Sequence, residues 1–444
     1  MNNQFKPFRA IRFSSQLSNP ADVLAPPYDV ISPDEQLALY QRHDANIVRL
    51  DFGLEYPSDT SDDNRYTRAS IHLNGWLVEG ILERDDTPSY YLYEHTYKAD
   101  GQIKQLRGIL GACKLFRFEE GVVLPHENTM PGPIQDRLEL TKACEANLSP
   151  IYTLFDDANG EFFALTAGVW SSIPTADWTT DTGDRYRLWP VSESGILSRL
   201  YALLEQKKLL IADGHHRYTT ALHYRDYCRE RTLSSDPLSD YTLTFATPLQ
   251  NDGLTIYPTH RVVFGLEQFD PAAFKTQLAS FFDIAEVPTI AAFHQWAGGR
   301  SSKSIGVAIP GQSNLWALTL KPEMANHAVF PADASSVLKG LDVSILQYVI
   351  LQGIFGFTFE DIRAQRGIRY LKSDAAVETA LIDGSIQVAF VLEATRLDEM
   401  RDVCLAGEKM PQKSTYFYPK LITGLVINPV SPLETAVVMD IPKQ

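Results

Sequence analysis

Along the chain, short runs that alternate apolar and polar residues are interleaved with stretches whose apolar positions return every three or four residues, so strands and helices are mixed in sequence. Ser32-Pro33-x-Glu35 carries the signature of a helix start, with Ser32 as cap, Pro33 at the first position and Glu35 at the third. Residues 46–52 alternate as a strand would, and 65–79 reads as an amphipathic helix closed by Gly80. Two aromatic-rich runs, 89–97 and 107–116, predict a hairpin about Asp100-Gly101. Helical spacing follows at 136–144 and 196–208, and strand patterns at 151–155, 185–191, 241–247 and 254–264. A polar loop starting at Thr232 stands before the strand at 241. After Gly265 the pattern changes: helices at 269–282, 291–296 and 342–355, strands at 304–309, 315–320 and 388–392, a helix running to Leu405 and a last strand at 421–427. The expectation is an α+β protein. A mixed-sheet N-terminal region at 1–265 contains a strand-turn-helix, and a second α+β unit at 266–444 returns to the site through the Lys413 loop.

The strand-turn-helix is the stretch Leu209 to Leu222, where an apolar run stops at Asp213-Gly214 and a helix begins with His215, His216 and Arg217. Gly214 permits a tight backbone, and the unbonded N–H groups and positive dipole end of the helix favour an anion. His216 and Arg217 are suited to donate to phosphate oxygens, with Gly214, Tyr218 and Thr219 completing the cradle. Asp213 would repel a bare phosphate, so it needs a divalent cation such as Mg²⁺ or a proton to accept. Asp213, His215 and Glu127 are the catalytic candidates. The same residues also read as an ordinary N-cap and turn with solvated cations.

Other polar residues stand where proline or loop backbone would present them. Tyr28 and Asp29 follow Pro26-Pro27 on a segment expected to be stiff and extended. His126 and Glu127 precede Met130, which occupies the place of the second histidine of a zinc-protease motif, and Pro131 and Pro133 are read as barring the helix that motif needs. Arg137 and Asn147 are close by, as site residues or as a surface partner of Glu127 and a helix C-cap. His260 and Arg261 read either as site residues or as the polar face of an edge strand. The stretch from Gly407 to Thr415 nearly has P-loop spacing, but Pro411 lacks an N–H and 416–419 cannot open a helix, which leaves Lys413, Ser414 and Lys420 as polar loop ligands.

Asp213-Gly-His-His-Arg217 resembles the glycine-to-arginine signature of the ParB/sulfiredoxin superfamily, whose members include CTP-binding segregation proteins and free-serine kinases. Over almost its whole length the chain is similar to a prokaryotic domain-of-unknown-function family, number one thousand and fifteen, with a SpoOJ/ParB-like label. The pieces that carry this likeness are Pro26-Pro-Tyr-Asp29, His126-Glu127-x-Thr129, Asp136-Arg137-Leu, Asn147-Leu-Ser149, the Asp213 to Tyr218 turn, Pro258-Thr-His260-Arg261 and Met410-Pro-Gln-Lys413-Ser414-Thr415.

Composition narrows the function. With 444 residues the chain exceeds what one core usually supports, and its 40 Lys and Arg against 55 Asp and Glu leave a net charge of −15. That balance argues against a protein built to grip a nucleic-acid backbone. Four cysteines without Cys-x-x-Cys spacing suit reduced thiols. No window approaches the roughly 18 apolar residues of a membrane span, and the first residues lack a signal-peptide apolar core, so a cytoplasmic protein without a membrane partner is expected. The expected function is a nucleotide-binding phosphotransferase acting on a small, serine-like hydroxyl metabolite, the serine-like acceptor following the resemblance; the cofactor is left open, with a nucleotide and Mg²⁺, the latter at Asp213, as the candidates. The alternatives are a ParB-like nucleotide-gated module and a non-catalytic small-anion binder. Nothing in the pattern fixes an oligomeric state.

Overall fold

In the computed structural model, which describes residues 3–17, 19–231, 234–298, 300 and 303–436, the apolar run before the central turn is the strand Leu209–Asp213 and the run after it the helix His215–Arg229. Thr232 and Leu233, where the polar loop was expected, lie outside the described residues. The chain divides into two units. The first comprises Met1–Pro125, Thr129–Thr255 and Pro419–Gln444, the second His126–Asn128 and Ile256–Tyr418.

In the first unit a mixed sheet of nine described strands runs in the order Val123–Leu124, Leu209–Asp213, Ile151–Phe155, Tyr241–Pro248, Gln102–Lys114, Tyr90–Ala99, Arg185–Val191 and Ala176–Thr179, with Phe5–Lys6 pairing Gln102–Lys114. Leu209–Asp213 is parallel to Val123–Leu124 and antiparallel to Ile151–Phe155, and the register shifts between Ile211 and Asp213. That irregularity lies at the end of the strand that carries the turn, where bulges commonly re-aim a side chain. The hairpin Tyr90–Ala99 to Gln102–Lys114 forms the sheet's long centre, turning at Asp100-Gly101 as the pattern predicts. Phe162 and Trp170 of the helix Glu161–Trp170, Leu197, Leu200 and Leu204 of Ser194–Glu205, and Tyr218 and Ala221 of His215–Arg229 share one buried core with Ile109, Ile151, Leu209 and Ile211 of the sheet. This core anchors the first turn of the helix His215–Arg229 against its own strand.

The second unit is built on a six-stranded sheet ordered Phe282–Val287, Leu315–Leu320, Ser304–Ala308, Val388–Val391, His260–Val263 and Ile368–Leu371, every neighbour antiparallel. Phe293, Val377 and Ala380 from helices Ile290–Gly298 and Asp374–Ile382 pack into its core. The helix begun by Asp342–Ile345 continues over Leu346–Ile354 with π winding. Among the described residues no helix is long and apolar enough to cross a membrane.

Several local expectations are corrected. Residues 46–52 do not form a strand: Asn46 Oδ1 accepts from Val48 N–H at 3.0 Å and starts the short helix Val48–Asp51, while Asn46 Nδ2 donates to Asp22 and Leu24 carbonyls. The side chain of an asparagine thus outweighs the alternation of its neighbours. Tyr28 and Asp29 lie in a 3-10 turn, Tyr28–Val30, that begins after the extended Pro27. Pro131 and Pro133 do not bar a helix but open one, Pro131–Cys144, where their missing N–H groups cost nothing. The stretch 421–427 is not a strand. It makes single bridges from Thr423 to Ala25 and from Ile427 to Ile11, and Gly424 between them has φ +89°.

Candidate functional site

Gly214, at φ +92°, turns the chain out of its strand, and the first intrahelical hydrogen bond of the following helix runs from Tyr218 N–H to Gly214 O. The N–H groups of 215–217 therefore precede the helical ladder and point toward its N-terminal end. Asp213 Oδ2 accepts from Arg217 Nη2 at 2.7 Å, and Asp213 Oδ1 accepts from Lys420 Nζ at 2.6 Å. Arg217 also donates to the Pro150 carbonyl. Two cations thus converge on one carboxylate at a helix N-terminus, leaving an excess positive charge with the side chains 11–19% exposed. Burial alone would raise the Asp213 carboxyl, but Lys420 and Arg217, with His215 nearby, hold it well below the ordinary carboxylate range.

The remaining residues of the turn have distinct jobs. His215 is buried. His216 Nε2 accepts from Met130 N–H at 2.9 Å, so that nitrogen is an acceptor for the chain and not a donor toward a ligand. Tyr218 was expected in the phosphate cradle. Its hydroxyl instead donates to Phe116 O at 2.8 Å and accepts from Phe116 N–H at 3.0 Å, deep in the core, which makes it a pin for the helix. The Thr219 hydroxyl is buried with no hydrogen-bond partner among the described residues.

Next to the turn lies a buried ionic network. Arg137 Nη1 donates to the Asp51 carbonyl at 2.6 Å and lies 3.3 Å from Asp51 Oδ1, while its Nε donates to Asp136 at 2.7 Å. Its guanidinium sits 4.1 Å from the centre of the Tyr28 ring. Arg137 is therefore not a surface partner of Glu127, because it is 5% exposed and held by two carboxylates and a ring. Burial pushes the Tyr28 phenol up to about 12 against the pull of Arg137 and Arg217, and Asp29 belongs to the same electrostatic neighbourhood. Asp51, likewise raised by burial and restrained by Arg137, leaves Oδ2 without a hydrogen-bond partner. Asn147 is not a helix cap: Glu145 ends that helix, and Asn147 Oδ1 accepts from Leu243 N–H and Asn428 Nδ2.

In the second unit, the loop 410–415 is tied down by candidates from two segments. His126 O accepts from Met410 N–H, His126 Nε2 lies 2.9 Å from Thr415 Oγ1, and Glu127 Oε1 accepts from Lys413 N–H at 2.9 Å. Lys413 has φ 58°, and its carbonyl accepts from Arg261 Nη2 at 3.1 Å. The Ser414 hydroxyl turns back to Pro411 O at 2.5 Å. The loop enters the strand Tyr416–Tyr418 and no helix. His260 and Arg261 do not lie on an edge strand, since His260–Val263 is flanked on both sides and both residues are buried.

Sequence reading missed a cluster around His260. His294 Nδ1 lies 2.5 Å from Glu393 Oε1, its Nε2 lies 3.0 Å from Asp374 Oδ2, and His260 Nε2 is 3.1 Å from the other Asp374 oxygen without satisfying a hydrogen bond. Hydrogen bonding to Glu393 raises His294 to about 9 in spite of partial burial, whereas burial lowers His260 to about 4. Among the described residues no group of three or more His, Cys, Asp or Glu is placed to hold a metal ion.

The fold and these clusters define a mixed α+β protein with a cationic clamp at a strand-to-helix turn. The chain belongs to the family described as protein of unknown function (DUF1015), whose model matches residues 5–344. No curated protein matches the sequence. Among solved structures the chain is similar to a free serine kinase in complex with AMP (13% identity, 67% of this chain and 83% of that chain, TM-score 0.32). It is also similar to a conserved hypothetical protein from Pyrococcus furiosus (13%, 67% and 87%, TM-score 0.33) and to C-terminally truncated SbnI from Staphylococcus aureus (11%, 70% and 84%, TM-score 0.34). Likenesses this loose carry no activity across.

Proposed function

We propose that the first unit is a nucleotide-dependent phosphotransferase whose phosphates are bound by Lys420, Arg217 and the helix N-terminus at Gly214. The observation that carries this reading is the convergence of Lys420 and Arg217 on Asp213 in front of the N–H groups of 215–217. An arriving phosphate competes with Asp213 for both cations, and charge-assisted contacts of this kind are each worth about 1.5–3 kcal/mol. As the cations move to the phosphate, the carboxyl loses the partners that depress it and becomes more basic. Asp213 then orients a small acceptor hydroxyl. The acceptor O–P bond forms, the bridging P–O bond of the nucleotide breaks, the nucleoside diphosphate leaves, and the hydroxyl proton passes through Asp213 to solvent. Mg²⁺ would be held by the nucleotide phosphates and would supply charge neutralisation there, because both Asp213 oxygens are taken by Arg217 and Lys420.

The likeness of the turn to the ParB/sulfiredoxin signature belongs to the same proposal and rests on the motif alone. A DNA-binding role is the weaker alternative because the chain carries −15 net charge. The test is calorimetric titration of ADP and ATP, with and without Mg²⁺, into the wild type and Arg217→Ala, beside an assay of ATP turnover with small hydroxyl compounds. Weakening by about 1.5–3 kcal/mol in the variant is expected. Equal affinity in both proteins would remove Arg217 from the site, and binding without turnover would leave a small-anion receptor.

A further inference from the structure

Between the two-stranded ribbon Ile11–Phe13 and Leu82–Arg84, the edge strand Ala176–Thr179 and the residues Gly424 and Leu425, the first unit holds a cavity of about 370 Å³. That volume is in the range of ordinary small-molecule sites. Leu17, Leu24, Leu188 and Leu425 give it apolar walls, and the Trp178 ring is fixed there by stacking on Tyr186 at 5.2 Å and 13°. The ribbon supplies the polar side. Arg12 and Glu83 are direct cross-strand partners, and Ser14 and Asp85 lie two residues further along their segments, so the four side chains share one face and all four line the cavity. Most of the lining charge is matched within the protein. Arg12 donates to Asp85 from Nε at 2.9 Å and from Nη2 at 2.6 Å, and Asp177 accepts two hydrogen bonds from Arg185 at 2.8 and 2.6 Å. Glu83 is different: it is exposed, its Oε1 accepts from Ser14 Oγ at 2.7 Å, and among the described residues no ion pair reaches it and no donor meets its Oε2. Arg12 feels the Glu83 charge across the strands, but its guanidinium is turned to Asp85. The cavity thus presents one accessible carboxylate without an ion-pair partner beside apolar walls.

We propose that this cavity binds a small amphipathic cation, an aryl- or alkylamine whose ammonium pairs with Glu83 while its apolar body lies against Leu188, Leu425 and the Trp178 ring. Each simpler ligand class matches only part of the lining. An anion is repelled by Glu83, a neutral apolar molecule gains nothing from it, and an inorganic cation leaves the apolar walls in water. A molecule with a charged nitrogen and an apolar body satisfies both, because the ammonium gains a charge-assisted hydrogen bond and the body leaves water. The site does not depend on the phosphotransferase reading: neither Asp213, Arg217 nor Lys420 lines it.

The test is calorimetric titration of phenethylamine, phenethyl alcohol and phenylacetate into the full chain. Phenethylamine should bind saturably, the alcohol about tenfold more weakly, and phenylacetate not at all. Glu83→Gln keeps the shape of the side chain and an oxygen for Ser14, so it should lower phenethylamine affinity about tenfold, to the level of the alcohol, and leave the alcohol unchanged. Ala176→Leu adds bulk on the edge strand that lines the cavity and should weaken both. Absence of saturable phenethylamine binding, equal affinity for amine and alcohol in the wild type, or undiminished amine binding in either variant overturns the proposal. Arg217→Ala should leave phenethylamine binding unchanged, and a change in either direction would place the amine at the phosphate clamp and strike the proposal. Inorganic triphosphate titrated into the same proteins reports on the clamp alone, so failure there counts against the phosphotransferase reading and leaves the amine pocket standing.

Discussion

Lys420 Nζ reaches Asp213 Oδ1 at 2.6 Å across 207 residues of sequence, so the returning C-terminal segment completes the turn that the central strand begins. Both side chains are mostly buried, which makes the contact more than a surface ion pair. Lys420→Met removes one of the two cations at the clamp. Triphosphate affinity should fall by about 1.5–3 kcal/mol in calorimetry, because a charge-assisted contact is lost. The Asp213 carboxyl should also titrate higher than in the wild type, which isotope-edited NMR of the aspartate side chains would read.

Asp213→Asn separates binding from chemistry. The amide keeps the shape of the side chain but no longer holds Lys420 and Arg217 as an anion does, so both cations are freer to meet phosphate. Nucleotide affinity is expected to be unchanged or tighter, and turnover to drop about 10²-fold or more. Full turnover in this variant would make Asp213 a fold-maintaining residue and nothing else.

Local signals in the sequence were legible where a few adjacent residues decide the backbone. The capping box of Ser32 and Glu35, the hairpin turn at Asp100-Gly101 and the strand-turn-helix at Asp213-Gly214 are all present as read. What was not legible depends on partners far away or on one side chain overruling a pattern. Asp51 was hidden inside a stretch whose alternation imitates a strand, and Asn46 turns that stretch into a helix. Lys420 stood in a loop with no motif to mark its partner. His294, Asp374 and Glu393 are separated by 80 and 99 residues and share no local signature, so only the sheet of the second unit brings them together. His260 and Arg261 looked like edge residues because Pro258 precedes them, yet the strand starts after the proline and pairs on both sides.

Gly214 tests the backbone of the clamp. An alanine there would be held at a positive φ that costs an L-residue about 1–2 kcal/mol, and its Cβ would stand 3.2 Å from the Arg217 guanidinium. Gly214→Ala should therefore lower stability by about that amount in urea denaturation and, by displacing Arg217, weaken triphosphate binding as well. Stability lost with binding unchanged would show that Arg217 keeps its place by other contacts and that the glycine serves only the turn.

The histidine pair of the second unit predicts a stability window in pH. His294 has its folded pKa raised from 6.5 to about 9, so its contribution is fully present below 6.5 and is lost as pH rises through about 9. His260 is the reverse case: its folded pKa is lowered from 6.5 to about 4, so its neutral form contributes above 6.5 and that contribution is lost as pH falls toward 4. The shared carboxylate of Asp374, 3.0 Å from His294 Nε2 and 3.1 Å from His260 Nε2, couples the two. Between about 6.5 and 9 the arrangement is one charged and one neutral imidazole, which is the state that fits two carboxylates without burying a second cation. Urea midpoints of the wild type measured across pH should peak near 6.5, falling as pH rises from there to about 9 and as it drops from there toward 4. His294→Gln, which keeps hydrogen-bonding atoms but cannot take a proton, should flatten the alkaline limb and leave the acid limb in place. An alkaline limb of undiminished slope in that variant would move the titration to another group and dissolve the pairing argued from these distances.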